Sequence, residues 1–102
     1  MSTKATKPAG KAPPKEWQLR LYVAGNAPNS VLAILHAKAI CDTHFAAMFE
    51  MEIVDLLTAP LRALSDGVIV TPTLVKLAPL PVQRVIGNLS DTDQVLMVLR
   101  GA

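Results

Sequence analysis

"GVIVTPTLVKL", residues 67–77, is the most strand-like segment of the chain, and a proline divides it. Val68-Ile69-Val70 leads into Thr71-Pro72, and Thr73-Leu74-Val75 then resumes the apolar run before Lys76. Proline carries no N–H for a sheet ladder, so it is confined to an edge, a bulge or the first residue of a strand. The segment therefore reads as a strand that Thr71-Pro72 opens, where a missing donor does no harm.

Working outward, the flanking elements alternate. Trp17 to Val23 alternates apolar and polar residues at period two and predicts a strand. Ala24-Gly25-Asn26-Ala27-Pro28-Asn29 is turn chemistry, with Asn29 or Ser30 as cap for a helix from Val31 to His44. A second strand is predicted over Phe49 to Leu56, and a short helix through Pro60, Leu61 and Ala63 with Thr58 as its cap. Beyond Pro79-Leu80-Pro81 come a strand over Val82 to Ile86, a Gly87-Asn88 turn and a last helix through Arg100 capped by Ser90. Ser90, the acids Asp91 and Asp93, and apolar Val95, Leu96 and Leu99 at helical spacing all favour a helix over Thr92 to Leu99.

Composition bounds the alternatives. A chain of 102 residues is one domain with a modest core. No apolar run approaches the ~18 residues of a membrane span, and the N-terminus lacks the apolar core of a secretory signal. The single cysteine, Cys41, leaves no internal disulfide and agrees with a reducing cytoplasm. Residues 1–16 hold four lysines and one glutamate, a net +3, whereas residues 17–102 hold six basic and seven acidic side chains, a net −1. The basic balance therefore belongs to a Lys/Ala/Pro tail over 1–16 that reads as a disordered arm, and residues 17–102 form the folded domain. That domain shows no basic patch interleaved with aromatics, so a nucleic-acid module is rejected and neither nucleic acid nor membrane is an expected partner.

The order β-α-β-α-β-β-α with a mixed central sheet resembles the thioredoxin fold, an α/β class. The resemblance implies that Thr71–Pro72 is cis, a form far less costly before proline than elsewhere, and that the loop passes the N-terminus of the first helix. Thioredoxins place a Cys-x-x-Cys there, its first thiolate stabilised by the helix. Here the turn reads Asn26-Ala27-Pro28-Asn29, and Cys41 lies more than two helical turns further on. Thiol–disulfide exchange is excluded by the absence of both sulfurs.

Two blocks carry a closer resemblance. "LYVAGNAPNS" (21–30) and "TPTLVKLAPLPVQRVIGNLSD" (71–91) are similar to the KaiB-like circadian clock proteins, in register from Trp17 to Leu99. The resemblance implies a non-enzymatic regulator of biological rhythms that binds the ring-shaped ATPase KaiC. It also implies a metamorphic chain with two folds, one thioredoxin-like and one in a tetrameric resting form; the local signals favour the thioredoxin-like one. Clock members usually carry a basic residue where this chain has Leu32, often a lysine where it has Glu52, and "IGDLSD" where it has Asn88. Those departures place it nearer the KaiB-like proteins that accompany a KaiC-like ATPase without a complete clock. The alternative is a free-standing sensor or adaptor domain related to clock-output histidine kinases.

No catalytic, cofactor or metal site is expected. His36, Cys41, Asp42 and His44 are ligand types, but at ~100° per residue Cys41 sits ~140° from His36 on the helix. Ser30 has no triad partner. Glu50 and Glu52 share one face of their strand, as an outward solvated pair, while Asp55 points to the other. In the first helix Val31, Ile34, Ala37 and Cys41 make the expected buried stripe, leaving Leu32, Leu35 and Ala39 as surplus apolar groups. That surplus reads either as tolerated surface leucines or as a second buried face, for self-association into a homo-oligomer or for a partner. The partner-binding candidates are Asn26, Asn29, Leu32, Leu35 and Glu52.

Overall fold

The computed structural model describes residues 15–101. The basic tail expected over 1–16 lies outside them apart from Lys15 and Glu16. The elements are β1 (Trp17–Val23), α1 (Pro28–His44), a short 3-10 turn (Ala46–Met48), β2 (Phe49–Asp55), α2 (Pro60–Ser65), β3 (Thr73–Ala78), β4 (Gln83–Ile86) and α3 (Thr92–Arg100). They build a four-stranded sheet in the order β2-β1-β3-β4. β1 and β2 are parallel, from Trp17 opposite Phe49 to Val23 opposite Asp55, joined by the α1 crossover. β3 runs antiparallel to both β1 and β4. This is a thioredoxin-like mixed α/β fold.

The period-two alternation of β1 divides the core. Leu19, Leu21 and Val23 face one side, with Leu74 and Val85, against Ala33, Ala37, Ile40 and Cys41 of α1 and Val95, Leu96 and Leu99 of α3. Tyr22, Val54 and Val75 face the other, against Ala63 of α2 and Val68. Burial of these aliphatic groups is the main driving force for the three-layer arrangement.

Several local expectations are corrected. β3 begins at Thr73, just after the Thr71-Pro72 pair expected to open it, and Val68 packs beneath α2. Pro72 stands just before the strand, where its carbonyl accepts from Gly87 N–H at 2.9 Å although it has no N–H to give. The Thr71–Pro72 bond is cis, and so are Ala78–Pro79 and Leu80–Pro81, which the sequence reading did not anticipate.

Helix starts are also revised. α1 begins at Pro28, so Asn29 and Ser30 lie inside it, and its N-cap Ala27 makes no side-chain cap. Buried Ser30 turns back, its Oγ accepting from Ala24 N–H at 3.1 Å. The buried stripe is Ser30, Ala33, Ala37, Ile40 and Cys41; Val31 is exposed and Ile34 only partly covered. Small residues win because alanines let the helix lie close to the sheet. Thr58 does not cap α2: its hydroxyl donates to the Asp55 carbonyl. Asp91, not Ser90, caps α3, with Oδ1 accepting from Gln94 N–H at 3.1 Å. Ser90 is drawn into the preceding turn, its own N–H donating to Asn88 Oδ1.

Candidate docking site

The β1–α1 turn occupies the position at which a thioredoxin does its chemistry. Asn26, Ala27, Pro28 and Asn29 are all exposed. Gly25 ahead of them has φ +56°, and a Cβ on it would stand 3.2 Å from Leu57 Cδ1. Glycine is needed here both for its backbone and for that close approach. Asp55 clamps the turn from the end of β2, its Oδ1 accepting from Gly25 N–H at 3.0 Å and from Leu57 N–H at 2.9 Å.

No sulfur reaches this turn. Cys41 is buried, and burial, helped by Asp42, pushes its thiol up to about 11. A thiol held so high is not a thiolate at neutral pH, and the thiolate is the nucleophile. Among the described residues no cluster of His, Cys, Asp and Glu could hold a metal ion.

Leu32 and Leu35 are 40% and 59% exposed on the outer side of α1, close in sequence to the turn that carries Asn26 and Asn29. Glu52 lies elsewhere: with Arg20 and Tyr22 it occupies the opposite face of the sheet, the face that α2 covers. The structure thus groups four of the five candidates at the start of α1 and separates the fifth.

Glu52 is not a free surface acid. Arg62 of α2 grips it with two contacts of 2.6 Å, and Arg20 adds a third at 3.1 Å. The Arg62 hydrogen bonds, with Arg20 beside them, hold its carboxyl down at about 2. Arg20 continues to Asp66 at 2.8 Å. The Tyr22 hydroxyl faces the Asp66 carboxylate at 2.5 Å and the Arg62 carbonyl at 2.9 Å. Burial works against ionised Asp66, but the Tyr22 and Arg20 hydrogen bonds outweigh it and lower its pKa. Arg84 donates to the Asp66 carbonyl. The short helix α2 is therefore tied to the sheet by this ion-pair network as well as by buried Ala63, and Leu57, Leu61, Leu64 and Ile69 are left exposed.

Sequence reasoning passed over Arg20, Arg62 and Asp66. The one usable signal was register: a parallel β1–β2 pair aligned from Trp17 and Phe49 sets Arg20 directly against Glu52.

The KaiB domain family model matches residues 20–101. The circadian clock oscillator protein KaiB of Synechococcus elongatus is 46% identical over 88 residues, 86% of each chain. That of Synechococcus sp. RCC307 is 43% identical over 86% of this chain and 80% of its own. Among solved structures, the N-terminal domain of Synechococcus elongatus SasA is similar with TM-score 0.71, 23% identity and 98% and 96% of the two chains covered. Mitochondrial thioredoxin 3 of Saccharomyces cerevisiae gives TM-score 0.69 at 12% identity over 86% and 80%. The structural likenesses concern the fold alone, whereas the family model and the sequence identities are decisive: the chain belongs to the KaiB family.

Proposed function

We propose that this protein is a non-enzymatic regulator that docks on a KaiC-like ring ATPase, in clock or clock-derived signalling. The observation that carries the reading is the turn at Asn26–Asn29. In this thioredoxin-like scaffold the N-terminus of α1 and the cis-Pro72 ahead of β3 lie at the same end of the sheet, since Tyr22 pairs with Thr73, and the turn carries amides and a proline in place of sulfurs. Such a scaffold has surface to offer and no redox step to run. Exposed Leu32 and Leu35 beside the turn supply apolar contact area for a partner or a second copy, and Asn26 and Asn29 supply hydrogen bonds at its rim. Glu52 acts in this reading through α2, whose position it fixes. Identity of 46% to a clock oscillator protein favours this over the sensor-domain alternative, which rests on likeness of fold at 23% identity.

The test is to add the protein to its cognate KaiC-like ATPase and follow ATP hydrolysis and autophosphorylation. Either rate should change in proportion to the protein added. Rates that stay constant up to a several-fold excess would contradict the proposal.

A further inference from the structure

Asp55 ends β2 opposite Val23, the last residue of β1, so the turns into α1 and into α2 leave the sheet side by side. In open α/β sheets, ligands are met at the loops outside the carboxyl ends of the strands. At this end one side chain serves both loops. Asp55 Oδ1 accepts from Gly25 N–H at 3.0 Å in the first turn and from Leu57 N–H at 2.9 Å in the second. Its main-chain carbonyl accepts from Thr58 N–H at 3.1 Å and Ala59 N–H at 2.9 Å, which shapes the entry to α2.

The Leu57 contact is local, an Asx turn in which the side chain accepts from the backbone two residues on. The Gly25 contact spans 30 residues and exists only in the folded sheet. The hydrogen bonds from Ala24 N–H to Ser30 Oγ and from Ala27 N–H to the Ala24 carbonyl stay within residues 24–30. They give the first turn its shape without joining it to α2. Among the described residues no salt bridge includes Asp55. Its carboxylate serves backbone donors instead, and a charged acceptor strengthens such bonds.

We propose that Asp55 is a positioning residue for docking: it locks the Asn26–Asn29 turn to the entry of α2, so that a partner meets a preformed surface. The inference rests on the docking reading above and supplies the link between the ion pairs beneath α2 and the turn. Arg62 and Glu52 hold α2, α2 holds the Leu57 turn, and Leu57 shares one oxygen with Gly25. A preformed surface binds more tightly because less ordering remains to be done on contact.

Three substitutions separate position from charge. Asp55→Asn keeps an oxygen at the Oδ1 position without the charge. Asp55→Glu keeps the charge but carries it one methylene further, and Asp55→Ala removes both. Amide exchange of Gly25 and affinity for the cognate KaiC-like ATPase are measured for each, with the core substitution Leu21→Ala as control. Gly25 exchange should rise about tenfold in Asp55→Ala and Asp55→Glu and affinity should fall about tenfold, while Asp55→Asn stays within about threefold of wild type in both. Leu21→Ala should lose stability yet keep its affinity. Affinity kept by Asp55→Glu and lost by Asp55→Asn would mean that the charge meets the partner directly, and would overturn the proposal. So would unchanged Gly25 exchange in Asp55→Glu, or an affinity loss in Leu21→Ala equal to that in Asp55→Glu. Should Asp55→Ala fail to fold, the Asn and Glu substitutions carry the comparison. A wild type that binds in no nucleotide state would end the docking reading, and Gly25 exchange would then still decide whether Asp55 joins the two turns.

Discussion

Arg62 on α2 holds the Glu52 carboxylate on β2 with both arms of its guanidinium, each contact 2.6 Å. Because α2 buries little besides Ala63, this pair and the Tyr22–Asp66 contact beneath it do much to set where the helix lies. The Glu52 carboxyl falls from an ordinary 4.5 to about 2 on folding. A depressed acid contributes stability that is complete above its unfolded pKa and lost as pH falls through the folded one. Wild type should therefore lose stability between about pH 4.5 and 2, and Glu52→Gln should lose less over that window. Urea midpoints at a series of acidic pH values measure the difference, which is modest because the pair is half-exposed. A residual drop persists in Glu52→Gln through Asp66, whose pKa is also lowered. Identical acid profiles for the two proteins would dissociate Glu52 from the stability of the fold.

The α3 cap separates two neighbours that composition alone cannot. Asp91→Ala removes the acceptor for Gln94 N–H and should cost about 1 kcal/mol. Ser90→Ala should change stability by much less, since the Ser90 contact to Asn88 runs through its backbone N–H. Equal losses from the two substitutions in urea titrations would mean that Ser90 shares the cap.

Leu21 is fully buried between β1 and the α1–α3 layer. Leu21→Ala should destabilise by about 2–5 kcal/mol, through lost burial and the cavity left behind. It should appear as a lower urea midpoint with an unchanged slope. A loss under about 1 kcal/mol would show a core that collapses around the gap.

Leu32 and Leu35 touch the core little, so replacing both with lysine should leave thermal unfolding nearly unchanged while weakening attachment to the ATPase or to a second copy. Sedimentation of the variant with and without the ATPase reads both effects. Wild-type behaviour in each would return the two leucines to ordinary surface.

Much of the fold was legible because it rests on local signals. The alternation of Trp17 to Val23, the turn after it and the proline at 72 are read one residue at a time, and together they order the elements. What escaped depends on contacts distant in sequence. Arg20 meets Glu52 across 32 residues and Asp66 across 46, so the network under α2 appears only once strand register is known. The buried face of α1 was only half legible for a related reason: Ala37 and Cys41 were placed on it, but the sheet also selects Ser30, Ala33 and Ile40, while the larger Val31 points outward. Within the site, Asn26, Asn29, Leu32 and Leu35 were placed together by sequence adjacency alone, and Glu52 could be separated from them only by the sheet's two faces.

The proposed action of this KaiB-family chain is docking on a ring ATPase. Analytical ultracentrifugation of the protein mixed with the cognate KaiC-like ATPase, in its ATP-bound and ADP-bound states, tests it most directly. The protein should co-sediment with the ring in at least one nucleotide state, and Leu32→Lys/Leu35→Lys should reduce the bound fraction. Sedimentation of the wild-type protein as a separate light species in every nucleotide state would contradict it.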